Sequence, residues 1–152
     1  MKQLLILSGK GGTGKTTVSG ALIELSRSPA FADCDVDAPN LHLVVPQMND
    51  PVKTDYYGFG KAVIDDSKCI HCGRCEEACR FDAIQGGAVG LYECEGCGVC
   101  AEICPAQAIA MSDDSSGSLM LYKHGEKVFS TAQLKMGSGA SGKLVTAVKK
   151  QL

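Results

Sequence analysis

Residues 69–84 read CIHCGRCEEACRFDAI, and residues 94–109 read CEGCGVCAEICPAQAI. Laid over one another at an offset of 25 residues, the two stretches place cysteine on cysteine at four positions. Self-similarity of this kind predicts two structurally equivalent halves of one small fold. Cysteines dominate from about Lys61 to Met111, and the apolar run AVIDD (62–66) reads as part of the same segment. The expected organisation is therefore a first region at 1–60, the cysteine region at 61–111 and a third region at 112–152.

Cys69-x-x-Cys72-x-x-Cys75-x-x-x-Cys79 and Cys94-x-x-Cys97-x-x-Cys100-x-x-x-Cys104-Pro105 both carry the spacing of bacterial ferredoxins. Three closely spaced thiolates can cap three corners of a 4Fe-4S cubane while a distant fourth completes it. In two-cluster ferredoxins that fourth cysteine serves the other cluster. The expected ligand sets are thus Cys69, Cys72, Cys75 and Cys104 for one cluster, and Cys94, Cys97, Cys100 and Cys79 for the other. A zinc site would use two C-x-x-C pairs and leave half of these thiols idle. Arg80 stands where the second quartet is followed by proline, a change that removes no ligand. Cys34, between Asp33 and Asp35, reads as a small buried hydrophobe. His71 lies between ligands and is expected to face solvent or a partner rather than iron. Glu76, Glu77, Asp82, Glu93, Glu95 and Glu102 make the segment acidic, either as a solvated face or as a surface for a basic redox partner.

The chain has 152 residues, with 15 basic and 17 acidic side chains and a formal net charge of -2. No basic field is available for nucleic acid, so such a partner is disfavoured. The opening LLIL run is too short for a membrane span or a signal-peptide core. A soluble, cytoplasmic protein without membrane attachment is expected. Nine cysteines in such a compartment point to metal ligation rather than disulfides.

A second motif lies upstream, in SGKGGTGKTT (8–17). Gly9, four intervening residues and Gly14-Lys15-Thr16 match the phosphate-loop spacing. Gln3–Leu7 predicts a short buried strand before the loop. Val18, Ala21, Leu22 and Leu25 recur at helical spacing and predict a helix over about 15–26 after it, stopped by Arg27-Ser28-Pro29. Backbone N–H groups from Gly9 to Thr17, including Gly11, Gly12 and Thr13, would face phosphate oxygens at a helix N-terminus. Lys15 would reach the terminal phosphates of ATP, and Thr16 would ligate Mg2+. Ala30–Ala32 is a candidate second strand, followed by the acidic run DCDVDAPN (33–40). Residues 112–118 (SDDSSGS) read as a linker, after which LMLYK and VFSTAQLKM suggest a hairpin about His124-Gly125-Glu126. A further loop, GSGASGK (137–143), is followed by Leu144 rather than a hydroxyl residue. Its preceding strand alternates as a half-exposed one would, so it reads as a loop entering a helix.

The loop KGGTGKTT resembles the deviant Walker A of the nitrogenase iron protein, MinD, ParA and Mrp ATPases. The whole chain, with FADCDVDAPNLHL (31–43) and the cysteine segment, resembles MinD-superfamily ATPases carrying an inserted ferredoxin. The resemblance implies an α/β P-loop NTPase portion with an incomplete parallel sheet, and an inserted α+β two-cluster ferredoxin-like domain. It implies catalytic roles for Lys15, for Lys10 as the signature lysine acting across a homodimer, and for Asp35, with Asp33 and Asp37 as runners-up, in orienting Mg2+ and water. It also implies a redox partner protein, two 4Fe-4S clusters, ATP and Mg2+. The family's switch II would lie beyond Leu152, so weak or absent turnover is expected of these 152 residues. The implied function is ATP-linked electron transfer. The alternatives are a ferredoxin-like carrier with a vestigial nucleotide site, or a cluster scaffold.

Overall fold

A computed structural model describes residues 3–45, 49–139 and 141–152. In chain order the elements are α1 Lys15–Ser26, β1 Ala30–Ala32, a 3-10 turn at Leu41–Leu43, β2 Val52–Tyr57, β3 Lys61–Ile64, α2 Arg74–Glu77, β4 Ile84–Gln85, β5 Ala88–Val89, α3 Val99–Glu102, β6 Ile109–Ser112, β7 Ser115–His124, β8 Lys127–Leu134 and α4 Ser141–Lys150. The chain is a mixed α/β protein with two compact units. One comprises Met1–Thr54, Leu119–Gln133 and Val145–Leu152; the other comprises Asp55–Ser118 and Leu134–Leu144.

The first unit holds β1 and parts of β2, β7 and β8, strands of a sheet of order β1-β8-β7-β2. Ala30–Ala32 runs parallel to Val128–Ser130. A two-residue turn, Gly125-Glu126, joins β7 to β8 as the expected hairpin. Phe129 is stacked between Phe31, at 5.0 Å, and Tyr122, at 5.2 Å, and with Ile23, Leu41 and Val45 it forms the core. Contrary to the half-exposed strand expected from its alternation, β8 is buried continuously from Phe129 to Ala132. For Ser130 the reason is that a polar side chain can be buried once its hydrogen bonds are made, whereas Thr131 Oγ1 is buried with no hydrogen-bond partner among the described residues. Ser130 Oγ lies 2.8 Å from the Val148 carbonyl and 2.7 Å from Gln151 Oε1, at the end of α4.

Two further expectations fail in this unit. Gln3–Leu7 forms no strand, and Leu4, Leu5 and Leu7 are exposed by 73%, 63% and 78%. A buried parallel strand needs a ladder partner and cover on both faces, and the described residues provide neither beside this run. The helix α1 has the expected extent, closed by Arg27 in a left-handed conformation whose N–H bonds back to Glu24. Its buried face, however, is Gly20 and Ile23, while Val18, Leu22 and Leu25 are exposed. Gly20 decides this, because a Cβ there would lie 3.1 Å from Val44 Cγ2, so the absence of a side chain lets the helix approach the 3-10 turn.

In the second unit, β3 pairs antiparallel with β6 from Lys61↔Ser112 to Ile64↔Ile109, and β4 pairs with β5 around the Gly86-Gly87 turn. Ala62, Ala83, Ile84, Cys94, Cys100 and Ile109 form its core. The linker expected at 112–118 is largely strand, since Ser112 ends β6 and Ser115 begins β7. Here Ser116 is buried, accepts a hydrogen bond from Gly58 N–H at 3.1 Å and offers its carbonyl to Lys135 N–H at 2.9 Å. The polar composition that suggests a linker is therefore accommodated within a sheet. Lys143 lies 3.6 Å above the Phe59 ring, a cation–π contact that engages the lysine of the second glycine loop.

Candidate functional site

The repeat is reproduced in the backbone. His71 and Gly96, Gly73 and Gly98, and Asp82 and Gln107 are each 25 residues apart in sequence and share positive φ values, 51° and 67°, 74° and 77°, 50° and 48°. Gly73 and Gly98 cap the single-turn helices α2 and α3. These turns lead into the third cysteine of each run, of which Cys100 lies in the core and Cys75 packs against it.

Two cavities follow. A cavity of about 270 Å³ is lined by Cys69, Cys72, Cys75 and Cys104, with His71, Arg74 and Glu76 at its wall. A second, of about 20 Å³, is lined by Cys79, Cys94, Cys97 and Cys100, with Glu95 at its wall. Each quartet thus combines three cysteines of one repeat with the last of the other. Among the described residues no three His, Cys, Asp or Glu side chains converge as a site for a single metal ion; the thiols surround cavities instead. Four sulfurs about a pocket suit a 4Fe-4S cluster. The first cavity has room for one, and the second, lined by as many sulfurs, is the smaller of the two.

Hydrogen bonding to sulfur is also present. Ala83 N–H lies 3.4 Å from Cys79 Sγ, and Ala108 N–H lies 3.3 Å from Cys104 Sγ. Donors to a ligating thiolate stabilise its negative charge and tune the centre it holds. Burial pushes the Cys75 and Cys100 thiols up, opposed by backbone N–H donors and reinforced by Cys69 and Cys72 or by Cys94 and Cys97. Ligation must therefore displace protons. His71 is exposed, as expected, and its Nδ1 lies 4.0 Å from Cys69 Sγ.

The glycine loop belongs to the first unit. Gly12 and Gly14 have φ values of 74° and 87°, which turn the backbone into α1. The Ser8 and Thr13 hydroxyls bond to the Lys10 carbonyl at 3.0 and 3.3 Å, bracing the loop from within. Gly9, Gly11, Gly12 and Gly14 are exposed and open, and no side chain caps the start of α1. That leaves a helix N-terminus with unfilled donors. Lys15 Nζ lies 3.9 Å from Asp35 Oδ2, and Thr16 Oγ1 lies 2.7 Å from Asn40 Oδ1. Lys15, Thr16 and Asp35 are thereby gathered at one end of α1, while Thr17 sits on its first turn.

Asn40 escaped the sequence reading, and Asp33 entered it only as a runner-up to Asp35. Asp33 is buried and accepts N–H bonds from Asp35 at 3.0 Å, Asn40 at 3.0 Å and Leu41 at 2.9 Å. It shapes the loop that carries Asp35 and Asn40. The asparagine-terminated acidic run hints at such a turn, but not at which aspartate is turned inward. Cys34 is half-buried, and its thiol is pushed up chiefly by burial.

Residues 62–111 match the 4Fe-4S dicluster domain. The match therefore takes in both quartets, and all of β3 to β6 but Lys61 and Ser112. An uncharacterized protein of Methanocaldococcus jannaschii is 35% identical over 150 residues, covering 97% of this chain and 53% of that protein. An uncharacterized ATP-binding protein of the same organism is 40% identical over 68 residues, 42% of this chain and 26% of that one. The cytosolic Fe-S cluster assembly factor Nubp1 homolog of Drosophila melanogaster is 35% identical over 74 residues, 45% of this chain and 24% of that one. The chain spans about half the length of the first of these relatives and about a quarter of the others. It is thus related to iron-sulfur and ATP-binding proteins. No described helix is long and apolar enough to cross a membrane.

Proposed function

We propose that this chain is the nucleotide-binding and redox part of a MinD/Mrp-type P-loop protein, in which the ATP state governs electron transfer through two 4Fe-4S clusters. The observation that carries this reading is the sorting of the eight dicluster cysteines into two cross-paired quartets about two cavities. The clusters, when bound, supply one-electron storage. Cys69, Cys72, Cys75 and Cys104 hold the first, and Cys79, Cys94, Cys97 and Cys100 the second. The Ala83 and Ala108 N–H groups stabilise thiolate charge. In the loop, Gly9 to Thr17 receive phosphate, Lys15 offsets its charge, Thr16 exchanges Asn40 for Mg2+, and Asp35 orients water. Lys10 acts across a homodimer. A soluble redox partner in the cytoplasm exchanges the electrons.

A second reading, a cluster scaffold, is favoured by the similarity to the Fe-S cluster assembly factor and by the exposure of Cys72 and Cys97. Both readings are tested by loading the protein anaerobically, reducing it with dithionite, and recording EPR spectra with and without Mg-ATP. Two cluster signals that change with nucleotide support the gated reading. Two signals indifferent to nucleotide, with rapid cluster loss to an apo-ferredoxin, support the scaffold.

A further inference from the structure

Lys61 is the first residue of β3 and is 8% exposed. Its ammonium donates to the carbonyl of Cys94 and, at 2.8 Å, to that of Gly137. Among the described residues no carboxylate lies within ion-pair distance of it. A buried cation without a counter-charge is costly, and two carbonyl dipoles offset only part of that cost. Cys94 opens the second quartet, so the carbonyl that Lys61 holds belongs to a residue that would hold the second cluster.

The first quartet has no equivalent. Arg74 and Glu76 line its cavity, but both are exposed and of opposite sign. Glu95 lines the second cavity and is also exposed. At equal distance, water screens such charges about fourfold more than an interior of effective dielectric ~20 screens Lys61. The surroundings differ in the same sense. Gly96 packs against the Phe59-Gly60 backbone, and Gly139 against the Glu95 carboxylate, whereas His71, the counterpart of Gly96, is exposed.

We infer that Lys61 is a positioning residue that makes the two centres unequal, biasing the electron towards the second quartet while the more open first quartet exchanges it with partners. Reduction adds one electron and no proton at this site, and the buried ammonium favours the product. This inference rests on the two-cluster reading above.

The test is a dithionite titration of the loaded protein, followed by EPR, on wild type, Lys61→Gln and Lys61→Arg. Gln keeps donors for both carbonyls but removes the charge. One centre of K61Q becomes about tenfold harder to reduce, about 59 mV for one electron, while the other stays within about twofold and K61R stays near wild type. Equal shifts in both centres, or none, overturn the inference. Should K61Q not load, Cys97→Ser in the otherwise wild-type chain decides. It alters the EPR signal of the second centre, and that signal must be the more easily reduced one. Iron analysis separates the failures: wild type with less iron than two clusters require overturns the two-cluster reading itself, while full iron with indifferent potentials overturns only the role of Lys61.

Discussion

Cys79 and Cys104 occupy the same place in two halves 25 residues apart, and each sulfur faces the N–H four residues on, at 3.4 and 3.3 Å. Each also lines the cavity of the opposite half. Cys104→Ala should therefore abolish the centre that contains Cys69, and Cys79→Ala the one that contains Cys94. Iron and sulfide per chain should fall by about half in either variant, as expected for loss of one of two four-cysteine sites. EPR combined with Cys72→Ser or Cys97→Ser labels checks the crossing. If Cys104→Ala removed the signal labelled at Cys97, the pairing would be wrong.

Lys15, 3.9 Å from Asp35, should be the lysine that meets phosphate, while Lys143 is engaged over Phe59. Lys15→Ala is expected to weaken Mg-ATP binding at least about tenfold, about 1.4 kcal/mol. Lys143→Ala should leave it within about twofold. Equilibrium dialysis distinguishes the two loops, and the reverse ranking would assign phosphate to residues 137–143.

Asp33 supplies acceptors to three backbone N–H groups in a buried turn. Removing it leaves those donors unmatched, so Asp33→Ala should cost about 3 kcal/mol. Phe129→Ala, at 1% exposure between two rings, should cost about 3–5 kcal/mol. Urea denaturation of the unloaded protein measures both. A loss below about 1 kcal/mol for Asp33→Ala would mean that the turn re-forms with other acceptors.

Asp65 begins the turn that leads into Cys69. Its carboxylate accepts from Ser67 Oγ at 2.6 Å and Ser67 N–H at 3.0 Å, and Lys68 lies 2.9 Å away. The Ser67 hydroxyl, then Lys68, lower its pKa from 3.8 to about 2. A carboxylate depressed by folding contributes stability above its unfolded value. The contribution should thus be full above about pH 4 and disappear as pH falls towards 2. A carboxyl-carbon NMR titration of the unloaded protein should place the midpoint near 2; a midpoint of an ordinary aspartate would show that the turn is not held.

Sequence alone supplied the two candidate quartets, because residue type and spacing survive any rearrangement of the rest. The quartets sort into separate cavities as the crossing rule requires. It also determined the extent of α1 and the position of the β7–β8 turn, where Arg27-Ser28-Pro29 and Gly125-Glu126 act locally. Tertiary structure decided what depends on neighbours. Residues 3–7 have the composition of a buried strand but no ladder beside them among the described residues, β8 has the alternation of a half-exposed strand but is buried from Phe129 to Ala132, and α1 buries Gly20 and Ile23, where a Cβ on residue 20 would crowd Val44 at 3.1 Å. It decided also which charges are turned inward. Nothing in the spacing of GKAVI distinguishes Lys61 from a surface lysine, or Asp33 from Asp35, since burial of a charge is fixed by carbonyls and N–H groups brought from distant parts of the chain.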